Sequence, residues 1–429
     1  MLVDSMTYEQ WLSWIEQCHS VEIELGLDRC KRVLSNLLES TLDCKVITIA
    51  GTNGKGSTVS VLEALAITSG KSVLAYTSPH FLDYRERLRF NGDWLTKQQH
   101  VELFESIEKA RGCEPLTYFE YATLSAFKAA ELLKPDLLIL ETGLGGRLDA
   151  VNAIKADLAI ITTVDYDHQD WLGDDLDGIA REKAGIIHAD KVAIIADPDF
   201  PKVIIDEIAQ TTANLHLANR DFEHQDTVDS WNWKNNHHGK WNFDNLSFPH
   251  ANASAAFHAW TLLYQSSAIS ETLFQNALNN IQLTARFERF SKNPEVILDV
   301  AHNPQAFRTQ ATLLEKEIIR NKTQSKTIYI LGMLSDKNTE QSILAIKNQV
   351  DIWCLTELET TRGSSVNTLQ QILLDLGIAK NKINCFSSPE NAFKDACNMA
   401  AHDDRIVVTG SFYTVAPILK LLNALDSKQ

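Results

Sequence analysis

Apolar, β-branched runs alternate with stretches of helical period along nearly the whole chain, the pattern of parallel strands covered on both faces by helices. In the first part of the chain this pattern predicts strands over 45–50, 72–77, 136–141, 157–163 and 191–196, and helices beginning near 57, 96, 119, 174 and 201. Between 222 and 248 the pattern changes. Trp231, Trp233, Trp241 and Phe243 stand among polar and glycine residues, which predicts a hairpin or small antiparallel extension whose aromatics serve packing. Helices over about 250–266 and 270–280 follow. The turn-prone segment Ser291–Pro294 then leads into a fresh strand at 296–300, and strands at 327–332, 351–355 and 405–409 alternate with helices in a second α/β unit.

The first strand runs into Gly51-Thr52-Asn53-Gly54-Lys55-Gly56-Ser57-Thr58 and then a helix. Glycines that let backbone N–H groups converge, one lysine, and hydroxyls at a helix start form a cradle for nucleotide phosphates. The spacing departs from the common G-x-x-x-x-G-K-S/T form, because Gly56 separates Lys55 from Ser57. Lys55 is expected to reach the terminal phosphates of ATP, with Thr52, Ser57 or Thr58 on phosphate or magnesium. The expected fold class is therefore α/β. A P-loop nucleotide-binding domain with a parallel sheet occupies 1–285, and a smaller Rossmann-like α/β domain occupies 286–429.

In parallel sheets ligands gather beyond the carboxyl ends of strands, so polar residues just past each apolar run are the candidates for chemistry. Glu141 ends the run Leu137–Leu140 and is placed to hold magnesium. Asp165-Tyr166-Asp167-His168 follows the 157–163 run, giving His168 a metal or phosphate role. Ser78, in Thr77-Ser78-Pro79-His80, offers a hydroxyl to a cation. Asp299, His302 and Asn303 lie together after a strand of the second unit. Lys183, just before Gly185, reads from its position alone as a charge at a helix C-terminus.

Charge and cysteine usage narrow the partners. With 429 residues and 44% hydrophobic content the chain has apolar material for more than one core. A net charge of −16 argues against nonspecific binding to nucleic acid or an anionic membrane. Seven scattered cysteines, with no C-x-x-C pair, fit reduced thiols in a cytoplasm. The first twenty residues lack the basic start and apolar middle of a signal peptide, and no run approaches membrane-spanning length.

In order along the chain, AGTNGKGST, TSPH, LTYFEYATL, LETGLGGRLDA, DYDHQDWLG, REKAGI, DVAHNP and GSFYTV resemble the motifs of the Mur ligase superfamily, and more closely its folate branch, the bacterial bifunctional dihydrofolate synthase/folylpolyglutamate synthase family. The resemblance runs from about residue 8 to residue 420. It implies an ADP-forming amide ligase. ATP converts a substrate carboxylate to an acyl phosphate, which the amine of L-glutamate attacks; the carboxylate belongs to dihydropteroate or to tetrahydrofolates.

Residue by residue, the resemblance places Thr52, Asn53, Gly54 and Lys55 on the ATP phosphates, and Asn252, Arg286 and Asp299 in further ATP contacts. It makes Ser78 and Glu141 ligands of a first magnesium ion and His168 a ligand of a second. Lys183 becomes an N-carboxylated lysine, overturning its reading as a helix-end charge. His302 and Ser411 fall near the glutamate end. Glu24, Leu25, Gly26, Thr117, Tyr118, Phe119, Glu120, Leu148, Asp149 and Ala150 line the dihydropteroate pocket, where Tyr118 and Phe119 can stack on a pterin and Glu120 can accept from its ring N–H groups. Glu24 stands where an aspartate is frequent, and Gly56 separates this loop from the GKT form of the cell-wall ligases.

Three alternatives remain. Fifty residues before Gly51 leave no room for the extra N-terminal domain of a cell-wall ligase. A monofunctional folylpolyglutamate synthase is nearer, and the pterin segments favour bifunctionality over it. A nucleotide switch that hydrolyses ATP without ligating would show damaged metal positions, whereas Glu141, His168 and Lys183 are intact. The expected state is a monomer acting on small molecules.

Overall fold

Each apolar run expected as a strand forms one, within two residues at either end. The computed structural model describes residues 6–19, 24–211, 214–227, 230–264, 269–281, 283–321 and 325–426. By internal contacts the chain divides into two units, Met1–Asp244 with His250–Ile281, and Asn245–Pro249 with Gln282–Gln429.

In the first unit the strands are β1 (Lys45–Ala50), β2 (Val73–Tyr76), β3 (Leu88–Phe90), β4 (Asp93–Trp94), β5 (Leu137–Glu141), β6 (Leu158–Ile161), β7 (Val192–Ile195) and β8 (Leu215–Leu217). They form one sheet in the order β4-β3-β2-β5-β1-β6-β7-β8, parallel from β2 through β8, with β3 and β4 turned antiparallel at one edge. Strand β1 sits at the centre, registered Ile49 to Glu141 of β5 and Ala50 to Ile161 of β6. Strands β2 and β5 are buried along their whole length because helices cover both faces, which is why they read as continuous apolar runs.

Residues 222–244 form a three-stranded antiparallel sheet of β9 (Phe222–Asp226), β10 (Ser230–Asn235) and β11 (Trp241–Asp244). Its aromatics pack, as the sequence suggests: Trp231 and Trp233 are fully buried, with ring centroids 5.7 and 5.8 Å from Phe257 of helix His250–Leu263. That helix lies against helix Lys55–Thr68, which follows the phosphate loop.

In the second unit β12 (Glu288–Lys292), β13 (Glu295–Leu298), β14 (Thr327–Leu331), β15 (Ile352–Thr356), β16 (Ile383–Phe386) and β17 (Arg405–Thr409) are ordered β12-β13-β17-β14-β15-β16. All neighbours are parallel except the β12–β13 hairpin. A core around Phe307, Tyr329, Leu331, Trp353 and Leu369 fills one face.

Candidate active site

The carboxyl ends of β5, β1 and β6 deliver three loops side by side, and most of the chemistry-bearing residues of the first unit lie on them. After β1 the chain turns at Gly51, where a Cβ would come within 1.8 Å of Thr162 Oγ1. Gly54 takes a left-handed φ of 87°, and a Cβ there would come within 2.4 Å of Asn252 Oδ1. Both positions therefore require glycine, the second because the loop approaches the Asn252 helix closely. Asn252 is thus beside the phosphate loop.

Hydroxyls of the β6 loop fix the phosphate loop. Thr163 Oγ1 accepts from Asn53 N at 3.0 Å, Thr162 Oγ1 donates to Asn53 O at 2.6 Å, and Thr52 N donates to Thr163 O at 2.8 Å. Thr52 Oγ1 donates to Asp165 O at 3.1 Å. Thr58 Oγ1 donates to Gly54 O at 3.0 Å. The Lys55 ammonium donates to Gly51 O and Thr52 O at 2.8 and 3.2 Å, which curls it over its own loop.

Glu141 is buried at the end of β5, and Ser78 N donates to its Oε2 at 3.3 Å. Ser78 and Glu141 are thereby neighbours. His168 starts the short helix Gln169–Leu172 in a left-handed conformation, φ 52°, and its N–H is held by Asp167 Oδ1 at 2.9 Å. Among the described residues no group of three or more His, Cys, Asp or Glu side chains is arranged to hold a metal ion. Ser78 and Glu141 are oxygen donors of the kind magnesium takes, with waters and phosphate oxygens filling the rest of its shell.

Lys183 is 3% exposed in the last turn of helix Leu176–Ala184. Burial, and then the Lys55 charge, push its pKa down to about 7, while Asp167 opposes the shift. The neighbouring backbone is packed tightly: a Cβ on Gly146 would meet Glu182 O and Lys183 O at 2.8 Å, and one on Gly185 would meet Arg147 Cβ at 2.2 Å. Asn152 ties these segments together, its Nδ2 donating to Arg147 O and Gly185 O, each at 3.0 Å. A helix-end lysine on the surface would keep its ordinary pKa. This one is an amine poised between its charged and neutral forms, close to the phosphate loop.

The carboxylates of the expected pterin segments are engaged internally. Glu120 closes a capping box with Thr117, its Oε2 accepting from Thr117 N and Oγ1 at 2.8 and 2.9 Å, and it also accepts from Arg29 Nε at 2.7 Å. Glu24 is paired with Arg29 at 2.5 Å and with His19 at 3.0 Å. Asp149 is buried, and its pKa rises to about 6 through burial, although it accepts N–H bonds from Gly143 and Leu144 at 2.9 Å and from Val151 at 3.0 Å. Gly143 in turn leaves room for Phe119, since a Cβ would come within 2.6 Å of its ring. Leu25, Gly26, Leu148 and Ala150 flank these anchors in sequence.

One residue that the sequence reading passed over stands out in this region. Arg87 is 7% exposed and, among the described residues, forms no ion pair. Its Nε donates to His80 Nδ1 at 2.9 Å, and its guanidinium lies over the rings of Tyr84 and Tyr118 at 5.6 and 5.2 Å. Aromatic faces compensate part of the cost of burying a cation, but an anionic or strongly accepting ligand would compensate more. The signal in the sequence was Arg85-Glu86-Arg87-Leu88-Arg89 following the Ser-Pro turn.

In the second unit Asp299 follows β13. Gln310 Nε2 donates to its Oδ2 at 2.7 Å, and Arg286 acts on it electrostatically, so two expected ATP residues adjoin. His302 Nδ1 donates to Val300 O at 2.8 Å, which fixes the ring. Ser411 is buried and caps the C-terminal helix, accepting from Thr414 N at 3.1 Å. Gly410 N and Thr409 Oγ1 both donate to Ala301 O, so the Ser411 and His302 loops lie together.

Comparison with known proteins fits both units. Residues 49–278 match the Mur ligase middle domain and 285–412 the Mur ligase glutamate ligase domain. The chain is 38% identical over 420 residues to the dihydrofolate synthase/folylpolyglutamate synthase of Escherichia coli, covering 97% of this chain and 96% of that one. Its fold superposes on E. coli FolC in complex with DHPP and ADP with a TM-score of 0.90, at 36% identity over 99% of each chain. A bifunctional folylpolyglutamate synthase/dihydrofolate synthase of Yersinia pestis, complexed with AMPPNP and Mn ion, gives a TM-score of 0.89 at 37% identity, covering 98% of this chain and 99% of that one.

Proposed function

The chain belongs to the Mur ligase family, in its folate branch, and from that premise we propose that it joins L-glutamate first to dihydropteroate and then to reduced folates, forming ADP. It is an ATP-dependent ligase of the dihydrofolate synthase/folylpolyglutamate synthase kind. Condensing a carboxylate with an amine in water needs a leaving group, and phosphate from ATP supplies it. The γ-phosphate passes to the carboxylate oxygen, the glutamate nitrogen adds to the acyl carbon, and the tetrahedral intermediate collapses with loss of phosphate and a proton.

The observation that carries this reading is the convergence of the phosphate loop and Glu141 at the ends of the adjacent strands β1 and β5, with the buried Lys183 of helix Leu176–Ala184 near enough to feel the Lys55 charge. In this assignment Thr52, Asn53, Gly54 and Lys55 cradle the phosphates, Asn252 closes over the loop, and Arg286 and Asp299 bind the rest of ATP. Ser78 and Glu141 would hold one magnesium ion and His168 a second, and bound magnesium would supply positive charge beside the phosphates. Lys183, with its pKa near 7, has enough neutral amine at physiological pH to add carbon dioxide and become an anionic carbamate. Arg87 receives the pterin substrate between Tyr118 and Tyr84, while Glu24, Thr117, Glu120 and Asp149 hold the wall with Phe119, Leu25, Gly26, Leu148 and Ala150. His302 and Ser411 serve the glutamate end. Residues 1–285 then form the ATP and pterin domain and 286–429 the glutamate-ligase domain of a cytoplasmic monomer, with no nucleic-acid or membrane partner.

The test supplies ATP, magnesium and L-glutamate with dihydropteroate in one vessel and tetrahydrofolate in another, and follows ADP and glutamylated product. Product in both is expected. Product with tetrahydrofolate alone would reduce the protein to a monofunctional folylpolyglutamate synthase, and ADP release without product would make it a switch.

A further inference from the structure

Behind Asp299 the second unit carries a buried polar chain that no part of the reaction above uses. Gln310, fully buried on helix Pro304–Asn321, donates from Nε2 to Asp299 Oδ2 at 2.7 Å and to Thr409 Oγ1 at 3.3 Å. Its Oε1 accepts from the hydroxyl of Tyr329, fully buried on β14, where the ring packs edge-on to Trp353 at 5.2 Å. These partners settle which way the amide faces: the oxygen must meet the phenol, so the nitrogen must meet the carboxylate. The backbone N–H groups of Phe287 and Ala301 and the Arg286 charge all favour the Asp299 carboxylate, and Val300 N donates to Ala285 O at 3.0 Å, which brings the Arg286 turn beside the Asp299 strand end. Residues 285 and 287, either side of Arg286, both adopt positive φ, 50° and 56°, conformations that alanine and phenylalanine hold only under constraint.

Leucine or methionine would fill the Gln310 site without a polar atom. A glutamine there, satisfied at both ends inside an apolar core, is expensive unless the group it orients matters.

We infer that Gln310, backed by Tyr329, is a positioning residue that holds the Asp299 carboxylate, and through it the strained Arg286 turn, in the geometry that binds ATP. The inference rests on the proposed assignment of Asp299 and Arg286 to the nucleotide. Donation from Gln310 also favours the ionised carboxylate, which burial otherwise disfavours, the Asp299 pKa standing at about 6. Without that donor the pKa rises further, so ATP affinity is lost at a higher pH on acidification.

The experiment measures KM for ATP and for glutamate, and the pH midpoint at which ATP affinity falls, in Gln310→Leu, Tyr329→Phe and Asp299→Asn. Tyr329→Phe keeps the ring and so guards against a misfolded Gln310→Leu. Gln310→Leu is expected to raise KM for ATP about tenfold, the loss of one charge-assisted hydrogen bond, and to move the midpoint upward. Tyr329→Phe should shift both in the same direction by about threefold or less, and KM for glutamate should stay within twofold. If Asp299→Asn weakens ATP binding while the other two variants keep the parent KM and midpoint, the positioning role is overturned. If Asp299→Asn itself leaves ATP binding intact, the nucleotide assignment fails and takes this inference with it.

Discussion

The phosphate loop and the expected pterin wall occupy the same unit yet are built on opposite principles. The phosphate loop is held by hydroxyls and backbone: Thr162, Thr163 and Thr52 bond to main-chain atoms, two glycines let the chain pass close to Thr162 and Asn252, and the Lys55 ammonium donates to carbonyls of its own loop. The pterin wall is held by ion pairs and carboxylates. Glu120, Glu24 and Asp149 bond to Arg29, Thr117 and loop N–H groups, and among the described residues Arg87 has no carboxylate partner and donates to His80 instead. The hydroxyl and main-chain bonds that fix the phosphate loop use no carboxylate, whereas the expected wall for a flat, nearly neutral ring is built on them. In the expected wall, then, the motif carboxylates have structural partners of their own beside the ligand role that the family resemblance implies.

The largest expected effect separates these two roles at Lys183. Lys183→Met should lower ligase turnover by on the order of a hundredfold or more, since it removes a charge from beside the reacting phosphate. It should also stabilise the protein. The folded pKa of Lys183 lies near 7 against 10.5 for the unfolded lysine, so the cost of burying its charge is full below pH 7 and fades as pH rises toward 10.5. The gain in unfolding temperature, recorded in buffer stripped of carbon dioxide, should therefore be greatest at or below neutrality and shrink on going alkaline. A variant with normal turnover would remove Lys183 from the chemistry. The parent enzyme should in turn lose turnover as pH falls through about 7, because protonated Lys183 cannot take up carbon dioxide; a flat profile from 6 to 8 would contradict this.

Next in size is Arg87→Met. If the wall's working contact is this guanidinium and not its carboxylates, kcat/KM for dihydropteroate should fall about ten- to a hundredfold, the cost of one charged contact. KM for ATP should hardly move. Unfolding measurements should show little loss, since a buried cation with no carboxylate partner among the described residues is replaced by an apolar chain of similar length, which offsets the lost bond to His80. An unchanged kcat/KM would return the recognition role to Tyr118 and Phe119.

How far the sequence could be read follows the same division. Strands β1, β5 and β6 were legible because two-sided burial leaves uninterrupted apolar runs, and their ends located the phosphate loop, Glu141 and His168 without further help. Strands β3, β4, β8, β12 and β16 were not, being short or partly exposed at or near sheet edges, where burial does not dictate composition. Helices Tyr8–Gln17 and Asp28–Leu37, which bring Arg29 to Glu120, were likewise not anticipated. Lys183 looked like a helix-end charge because periodicity carries no record of what packs over a side chain. Burial beneath the Gly146 loop is a tertiary fact; the family resemblance implied a carbamate at Lys183 and nothing in the sequence showed the burial. Thr117-x-x-Glu120 is also a capping-box pattern, and the structure displays that cap.

The smallest effect tests that last point. Glu120→Gln keeps an oxygen for the Thr117 cap but takes the charge from Arg29, whose side chain is only 11% exposed. The expected cost is about 1–3 kcal/mol of stability, less than for a fully sealed pair because Glu24 remains to neutralise Arg29. If Glu120 is scaffold, dihydropteroate KM should rise no more than about twofold once the protein is assayed below its unfolding transition. A tenfold rise with stability unchanged would mean that the carboxylate leaves its cap to meet the ring, and the contrast between the two regions would not hold.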